Sequence, residues 1–305
     1  MLNVYFCGGC GVNVGKQLKD MDVNSYFIDT SESNLKNVDE DNIFLVQGTD
    51  GAGKLRSKSF ESFNGLEEEV LIKFKPSKEL NLVVSSLSGG SGGILASILA
   101  KKLIKDGSNV IIIGIDSKHS IIELENSIKT LKTYKAVSDS IKKNVTIYHV
   151  ENNSRKEADQ QVIRFIALMS LLVNKSLTEE FDTTDLNHFI NLDKVTDNRP
   201  TVGVIDISPN EEIIPVKNTT IVGTILLTSS LDSTISEAKP EYLSTCIVTD
   251  KNYKNEDIRI DNVYGKLAII IDELEKEVSS LRDNKRINKH KDVEVTGATE
   301  EGILL

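Results

Sequence analysis

The chain has 305 residues, of which 39% are hydrophobic and 27% charged, and a net charge of −10 at neutral pH. That length suggests two domains with apolar content for two ordinary cores, and the acidic balance disfavours generic nucleic-acid binding. Three cysteines argue against a disulfide framework, no stretch reaches the roughly 18 uninterrupted apolar residues of a membrane span, and the N-terminus enters a strand directly instead of a signal peptide. The expectation is a cytoplasmic protein with no membrane partner and no direct nucleic-acid contact.

In chain order, a first strand over Leu2 to Phe6 runs into Cys7-Gly8-Gly9-Cys10-Gly11-Val12-Asn13, where the spacing of Val12, Val14 and Leu18 predicts a helix. Tyr26-Phe27-Ile28 makes a short strand ending at Asp29-Thr30. Ile43 to Val46 makes another, followed by Gln47-Gly48-Thr49-Asp50-Gly51-Ala52-Gly53-Lys54. The hydrophobic run Leu80 to Val84 then feeds Ser86-Leu87-Ser88-Gly89-Gly90-Ser91-Gly92-Gly93, and an apolar helical pattern follows from Ile94 to Leu103. Glycines at a strand-to-helix turn let backbone approach a ligand, and the exposed N–H groups with the helix dipole favour an anion. In an open parallel sheet ligands bind beyond the carboxyl ends of the strands, so these four loops are placed to converge on one nucleotide.

Val110 to Ile115 and Val145 to Val150 read as buried strands with a helix from Ile121 to Val137 between them. From Lys156 to Lys175 apolar residues crowd every face, predicting a helix buried between two layers. Thr201 to Ile207, Ile221 to Leu227 and Thr245 to Thr249 predict a smaller mixed sheet. Leu267 to Leu281 is a helix with an apolar stripe, followed by a basic run and then an acidic tail over 292–305 that ends in Ile303-Leu304-Leu305.

Several rival chemistries are written in the same residues. Gly9, Gly11 and Gly15 with Asp29 twenty residues after Gly9 imitate the fingerprint of an NAD(P)-dependent oxidoreductase, but such a site has no use for the further glycine loops. Gly48 to Lys54 fits Gly-x-x-x-x-Gly-Lys, yet Leu55 stands where a P-loop needs a hydroxyl for Mg²⁺. Cys7 and Cys10 form a Cys-x-x-Cys, but Cys246 and four scattered histidines supply no metal set, so no protein metal ligand is expected.

The loops at 8–13, 29–30, 48–54 and 88–93, together with Phe181-Asp182-Thr183-Thr184-Asp185-Leu186 after the long helix, resemble the tubulin/FtsZ GTPase family, and the compact layout is most similar to its bacteriophage branch. Ser88 stands where that family's signature loop has glycine. The resemblance implies an α/β, two-domain fold. It would comprise a Rossmann-like nucleotide-binding domain (1–155), a central helix (156–176), a smaller mixed-sheet domain (177–264), a C-terminal helix with a basic end (265–291) and an acidic tail (292–305). It implies binding of GTP or GDP by Gly8, Gly9, Cys10, Gly11, Asn13, Asp29, Thr30, Gly51, Ala52, Gly53, Lys54, Ser88, Gly89, Gly90, Ser91 and Gly92. Asn152 and Asp159 would contact guanine, whose N1–H and N2–H₂ an aspartate accepts and adenine lacks, and Mg²⁺ would be held largely by phosphate and water. It further implies that Asp182 and Asp185 enter the nucleotide site of the next copy and polarise the attacking water. Hydrolysis would then be conditional on head-to-tail self-assembly, with the tail gripping the neighbour. The implied role is a spindle-like filament positioning phage DNA in a host bacterium. A plasmid-partition or cell-division homologue and a non-hydrolysing nucleotide-binding regulator remain as alternatives. As plain capping residues, Asp182 would be a helix N-cap and Asp159 a first-turn acid.

Overall fold

In a computed structural model the described residues are 1–18, 21–47, 63, 65–174, 182–191, 199–210, 216–229, 245–249 and 257–295. The predicted loop Gly48 to Lys54, with Gly51, Ala52, Gly53 and Lys54, and the last ten residues of the tail lie outside them.

Among the described residues ten strands form one sheet: β1 (Leu2–Cys7), β2 (Val23–Asp29), β3 (Ile43–Leu45), β4 (Leu80–Ser86), β5 (Val110–Ile115), β6 (Val145–Val150), β7 (Val202–Pro209), β8 (Thr220–Thr228), β9 (Thr245–Thr249) and β10 (Ile258–Tyr264). Their order is β3-β2-β1-β4-β5-β6-β7-β10-β8-β9. From β3 to β7 every pair is parallel, while β10 is antiparallel to both of its neighbours. The expected smaller mixed sheet is therefore continuous with the first one, joined where Val145 to Tyr148 of β6 pairs with Val202 to Ile205 of β7.

The parallel strands read as unbroken apolar runs because both faces are covered. In β5, Ile111, Ile113 and Ile115 face one core and Val110 and Ile112 the other. On the first face lie α1 (Gly8–Gly15), α2 (Glu32–Leu35), α6 (Arg155–Asn174) and α7 (Thr183–Ile190); on the second lie α3 (Leu66–Lys73), α4 (Ser91–Lys105), α5 (Ile121–Ile141) and α8 (Lys266–Val295). The central helix α6 departs from expectation. It buries one stripe, Ala158, Val162, Phe165, Ile166, Met169 and Leu172, while Arg164 and Ala167 are exposed, so it covers the sheet without being enclosed.

Strand β10 was not expected from the sequence, because its Arg259, Asp261 and Asn262 are polar yet all buried. Arg259 Nε donates to both Asp261 oxygens at 2.8 Å, and Thr224 Oγ1 donates to Asp261 Oδ1 at 2.5 Å. Burial pushes the Asp261 carboxyl above its ordinary range, against the pull of Thr224 and Arg259.

Candidate functional site

The site is built on two helix N-termini that touch. Gly8 opens α1 in the left-handed region at φ +73°, and a Cβ added there would sit 2.6 Å from Gly92 Cα; one added at Gly92 would sit 2.8 Å from the Cys7 carbonyl oxygen. Glycine is required at both positions by this backbone-to-backbone approach, the first use being to join β1–α1 to β4–α4. Neither helix has a side-chain cap or an acidic residue in its first turn, so the first-turn N–H groups of both are left for an anion. A phosphate is the group that two adjacent, acid-free N-termini suit.

Around this pair the predicted residues take different parts. Gly9 lies against Asn34, whose Nδ2 would be 2.8 Å from an added Cβ and donates to Asp29 Oδ2 at 2.9 Å. Asp29 is buried, and its Oδ1 accepts from the Thr30 and Ser31 N–H groups at 2.6 and 3.2 Å. Its carboxylate thus shapes the β2–α2 turn, with both oxygens engaged, and the dinucleotide reading loses the acid it needs for a ribose. Ser88 is also turned inward: its Oγ meets Ser86 Oγ at 2.9 Å and its carbonyl accepts from Asn126 Nδ2 at 3.2 Å. Gly89 and Ser91 are the partly exposed members of that loop, while Gly90 and Gly92 are buried.

Beyond the phosphate side, Cys10 is half-buried beside Asp159, and its thiol is pushed up to about 11 by desolvation and then by that carboxylate, which leaves it a small wall residue of low reactivity. Asp159 Oδ2 accepts from Gln17 Nε2 at 2.7 Å, and the same nitrogen reaches the Asn13 carbonyl at 3.1 Å. Asn152 follows β6, and its Oδ1 is buried without a hydrogen-bond partner, an orphaned acceptor of the kind that a ligand donor satisfies. Gly8, Gly9, Cys10, Gly11, Asn13, Asp29, Thr30, Ser88 to Gly92 and Asp159 are accordingly brought around the start of α1, with Asn152 on the same carboxyl edge of the sheet.

Sequence reasoning missed the residues that brace these loops. At the end of β5 Asp116 is buried; its Oδ1 accepts from Ser117 N–H and Ser127 Oγ, both at 2.6 Å, and its Oδ2 faces His149 Nε2 at 3.5 Å. Burial raises this carboxyl, but His149, Ser127 and the Ser117 N–H together hold it below its ordinary range. Ser117 Oγ then donates to Glu123 at 3.1 Å, tying the β5–α5 loop to the first turn of α5. Only tertiary contact reveals this set, whereas Gln17 at four residues from Asn13 was open to a helical reading.

The two acids proposed for catalysis sit elsewhere. Asp182 is the N-cap of α7: Oδ1 accepts from Thr184 N–H at 2.6 Å and from Asp185 N–H at 3.1 Å, and Asp185 Oδ2 accepts from Asp182 N–H at 3.0 Å. This is a complete capping box, and the N–H groups of Asp185 and Thr184 lower the Asp182 carboxyl below its ordinary range. The end of α7 is anchored at the amino edge of the sheet. Thr146 Oγ1, near the start of β6, donates to Ile190 O at 3.0 Å, and Asn191 Nδ2 donates at 2.9 Å to Oδ1 of Asn109, which precedes β5. With six residues in β5, that edge is about 20 Å from the carboxyl edge.

Against known proteins, no family model matches the chain. A phage tubulin-like protein of Pseudomonas phage PhiPA3 is 32% identical over 196 residues, covering 63% of this chain and 61% of the relative. That of Pseudomonas phage phiKZ is 29% identical over 204 residues, covering 61% and 62%. The matched region thus spans about three fifths of the length of these curated relatives. Among solved structures, the phage tubulin PhuZ with GDP superposes with a TM-score of 0.83 at 20% identity, covering 100% of this chain and 95% of the other. The chain has the tubulin/FtsZ fold. A protofilament of TubZ from bacteriophage PhiKZ follows at TM-score 0.79 and 22% identity, over 100% and 95% of the two chains. FtsZ of M. jannaschii, as a W319Y mutant, gives 0.65 at 17%, over 86% and 90%. At these identities the structures speak for the fold, which is the expected α/β one.

No metal-holding group of three or more His, Cys, Asp or Glu residues occurs among the described residues, and no described helix is long and apolar enough to cross a membrane.

Proposed function

We propose that this chain is a GTP-dependent, filament-forming phage tubulin homologue that hydrolyses GTP only between successive copies. The observation that carries the reading is the separation of parts: two uncapped helix N-termini meet at Gly8 and Gly92 on one edge of the sheet, while the capping box of Asp182 and Asp185 opens a different helix, α7, whose far end is tied to the opposite edge. In this reading neither carboxylate reaches the phosphate cradle of its own copy, and head-to-tail stacking is the arrangement that brings one edge onto the other.

In this reading the first-turn N–H groups of α1 and α4 hold the phosphates, Gly89 and Ser91 leave room for them, and Asn152 with Asp159 reads guanine. Gly51, Ala52, Gly53 and Lys54, which lie outside the described residues, belong to the nucleotide-binding set of this reading. Bound Mg²⁺ would neutralise phosphate charge, held by phosphate and water. Asp185, whose position in the box leaves it partly exposed, orients the attacking water of the neighbour's site with Asp182 beside it, and phosphoryl transfer gains chiefly from such positioning. The tail over 292–305 grips the adjoining copy. In a host bacterial cytoplasm such filaments would form a spindle-like cytoskeleton.

The test is turnover of GTP per molecule across a concentration series, with sedimentation of filaments in parallel. Turnover should rise above a threshold that coincides with sedimentation; a rate per molecule independent of concentration removes the shared site. Equilibrium binding of GTP and NADPH separates the nucleotide reading from the oxidoreductase one.

A further inference from the structure

A cavity lies on the face of the sheet away from α6, between β7, β10 and the first turns of α8. Its volume is about 570 Å³, within the range of small-molecule sites of roughly 300–1,000 Å³. One wall is apolar, from Val216, Ile221, Val263 and Ile269, and four carboxylates line the rest: Glu151, Asp206, Asp261 and Glu273.

The charges there do not balance. Asp206 is paired with Lys266 and Asp261 with the buried Arg259; Glu151 shares Lys118 with Glu277, at 3.5 and 3.8 Å. Glu273 has no ion-pair partner among the described residues. His149, with 9% of its side chain exposed, lines the cavity, and its buried Nε2 makes no hydrogen bond, facing Asp116 Oδ2 at 3.5 Å. An apolar wall beside a carboxylate that has no ion-pair partner among the described residues suits a ligand with one positive charge and a hydrocarbon body.

We propose that this cavity is a binding site for an organic monocation, an ammonium group carried on an alkyl or aryl chain, with Glu273 as the counter-ion and Val216, Ile221, Val263 and Ile269 covering the chain. The site is separate from the phosphate cradle and its occupancy is independent of the nucleotide reading.

The test uses the full chain and three probes of one shape: 4-phenylbutylammonium, 4-phenylbutanol and 4-phenylbutyrate, titrated by saturation-transfer NMR. The ammonium should bind saturably, ahead of the alcohol, with the carboxylate weakest. Glu273→Gln should weaken the ammonium about two- to five-fold and leave the alcohol unchanged, the size expected of one exposed pair. Val216→Lys, which supplies an ammonium from the chain itself, should weaken it as well, and both variants should melt as the wild type because the two positions are exposed. Equal binding of alcohol and ammonium, absence of saturable binding, or undiminished affinity in a folded Glu273→Gln protein would each overturn the proposal.

Discussion

Asp182 has two jobs that a single substitution can separate. Its Oδ1 accepts the Thr184 and Asp185 N–H groups, at 2.6 and 3.1 Å, and in the proposed filament its charge faces the next copy's γ-phosphate. Asp182→Asn keeps an oxygen in the Oδ1 position, and asparagine caps helices about as well as aspartate. Asp182→Ala removes cap and charge together. For a chain of this size the loss of an ordinary cap lowers the melting temperature by about 1–6 °C, so Asp182→Ala should melt measurably lower while Asp182→Asn stays within about 1 °C. Both should bind GTP as the wild type does, since α7 does not touch the cradle. Both should hydrolyse it on the order of 10²-fold more slowly above the assembly threshold if the carboxylate serves the water. The assay is phosphate release against protein concentration, paired with calorimetric melting. Wild-type hydrolysis by the Asp182→Asn protein would show that the carboxylate is a cap and nothing more, and the catalytic role would pass to Asp185 alone or be lost.

Gly92→Ala should weaken GTP binding and cost about 1–3 kcal/mol in denaturant unfolding, because the new Cβ would lie 2.8 Å from the Cys7 carbonyl and force the two helix N-termini apart; full GTP affinity would show that their contact is dispensable. Arg259→Ala should cost about 3–5 kcal/mol by leaving Asp261 charged, buried and without its pair, whereas a change under about 1 kcal/mol would contradict the burial of that pair. Asp116, whose carboxyl is held below its ordinary range, stabilises the fold above the ordinary aspartate pKa of about 3.9. That contribution is lost as pH falls through the lowered value, so Asp116→Asn should flatten the acid limb of a stability-against-pH curve, and an unchanged limb would refute it. Deleting residues 292–305 should raise the critical concentration about ten- to a hundred-fold with GTP binding by the monomer intact, and assembly at the wild-type threshold would make the tail a solvated end.

Much of the nucleotide edge was legible in the sequence because its determinants are local. An unbroken apolar run such as Leu80 to Val84 has one economical placement, a strand covered on both faces, and Gly-rich turns before Val12 and Ile94 announce helices that open without a side-chain cap. The reason for the glycines was legible only in part: Gly8 and Gly92 first serve each other, a contact between segments more than eighty residues apart. The partners of Asp29 and Ser88 were not legible, since a side chain's direction depends on which groups a fold places beside it, here Asn34 and the N–H groups of Thr30 and Ser31 for one and Ser86 for the other.

The sequence by itself determined which strands are parallel and buried and where helices begin with bare N-termini, and it offered Asp182 as a helix N-cap only as one of two readings. Only the tertiary structure decided that β10 is a strand. Arg259 and Asp261 look like surface residues until each supplies the other's missing partner, and the burial of a charge depends on a group that no local pattern names. The same holds for the two edges. Periodicity gives an element its length and buried face but not the end of the sheet at which a later helix docks. Hydrogen bonds from Thr146 and Asn191 fix the C-terminal end of α7 at the amino edge, a docking that no local pattern announces.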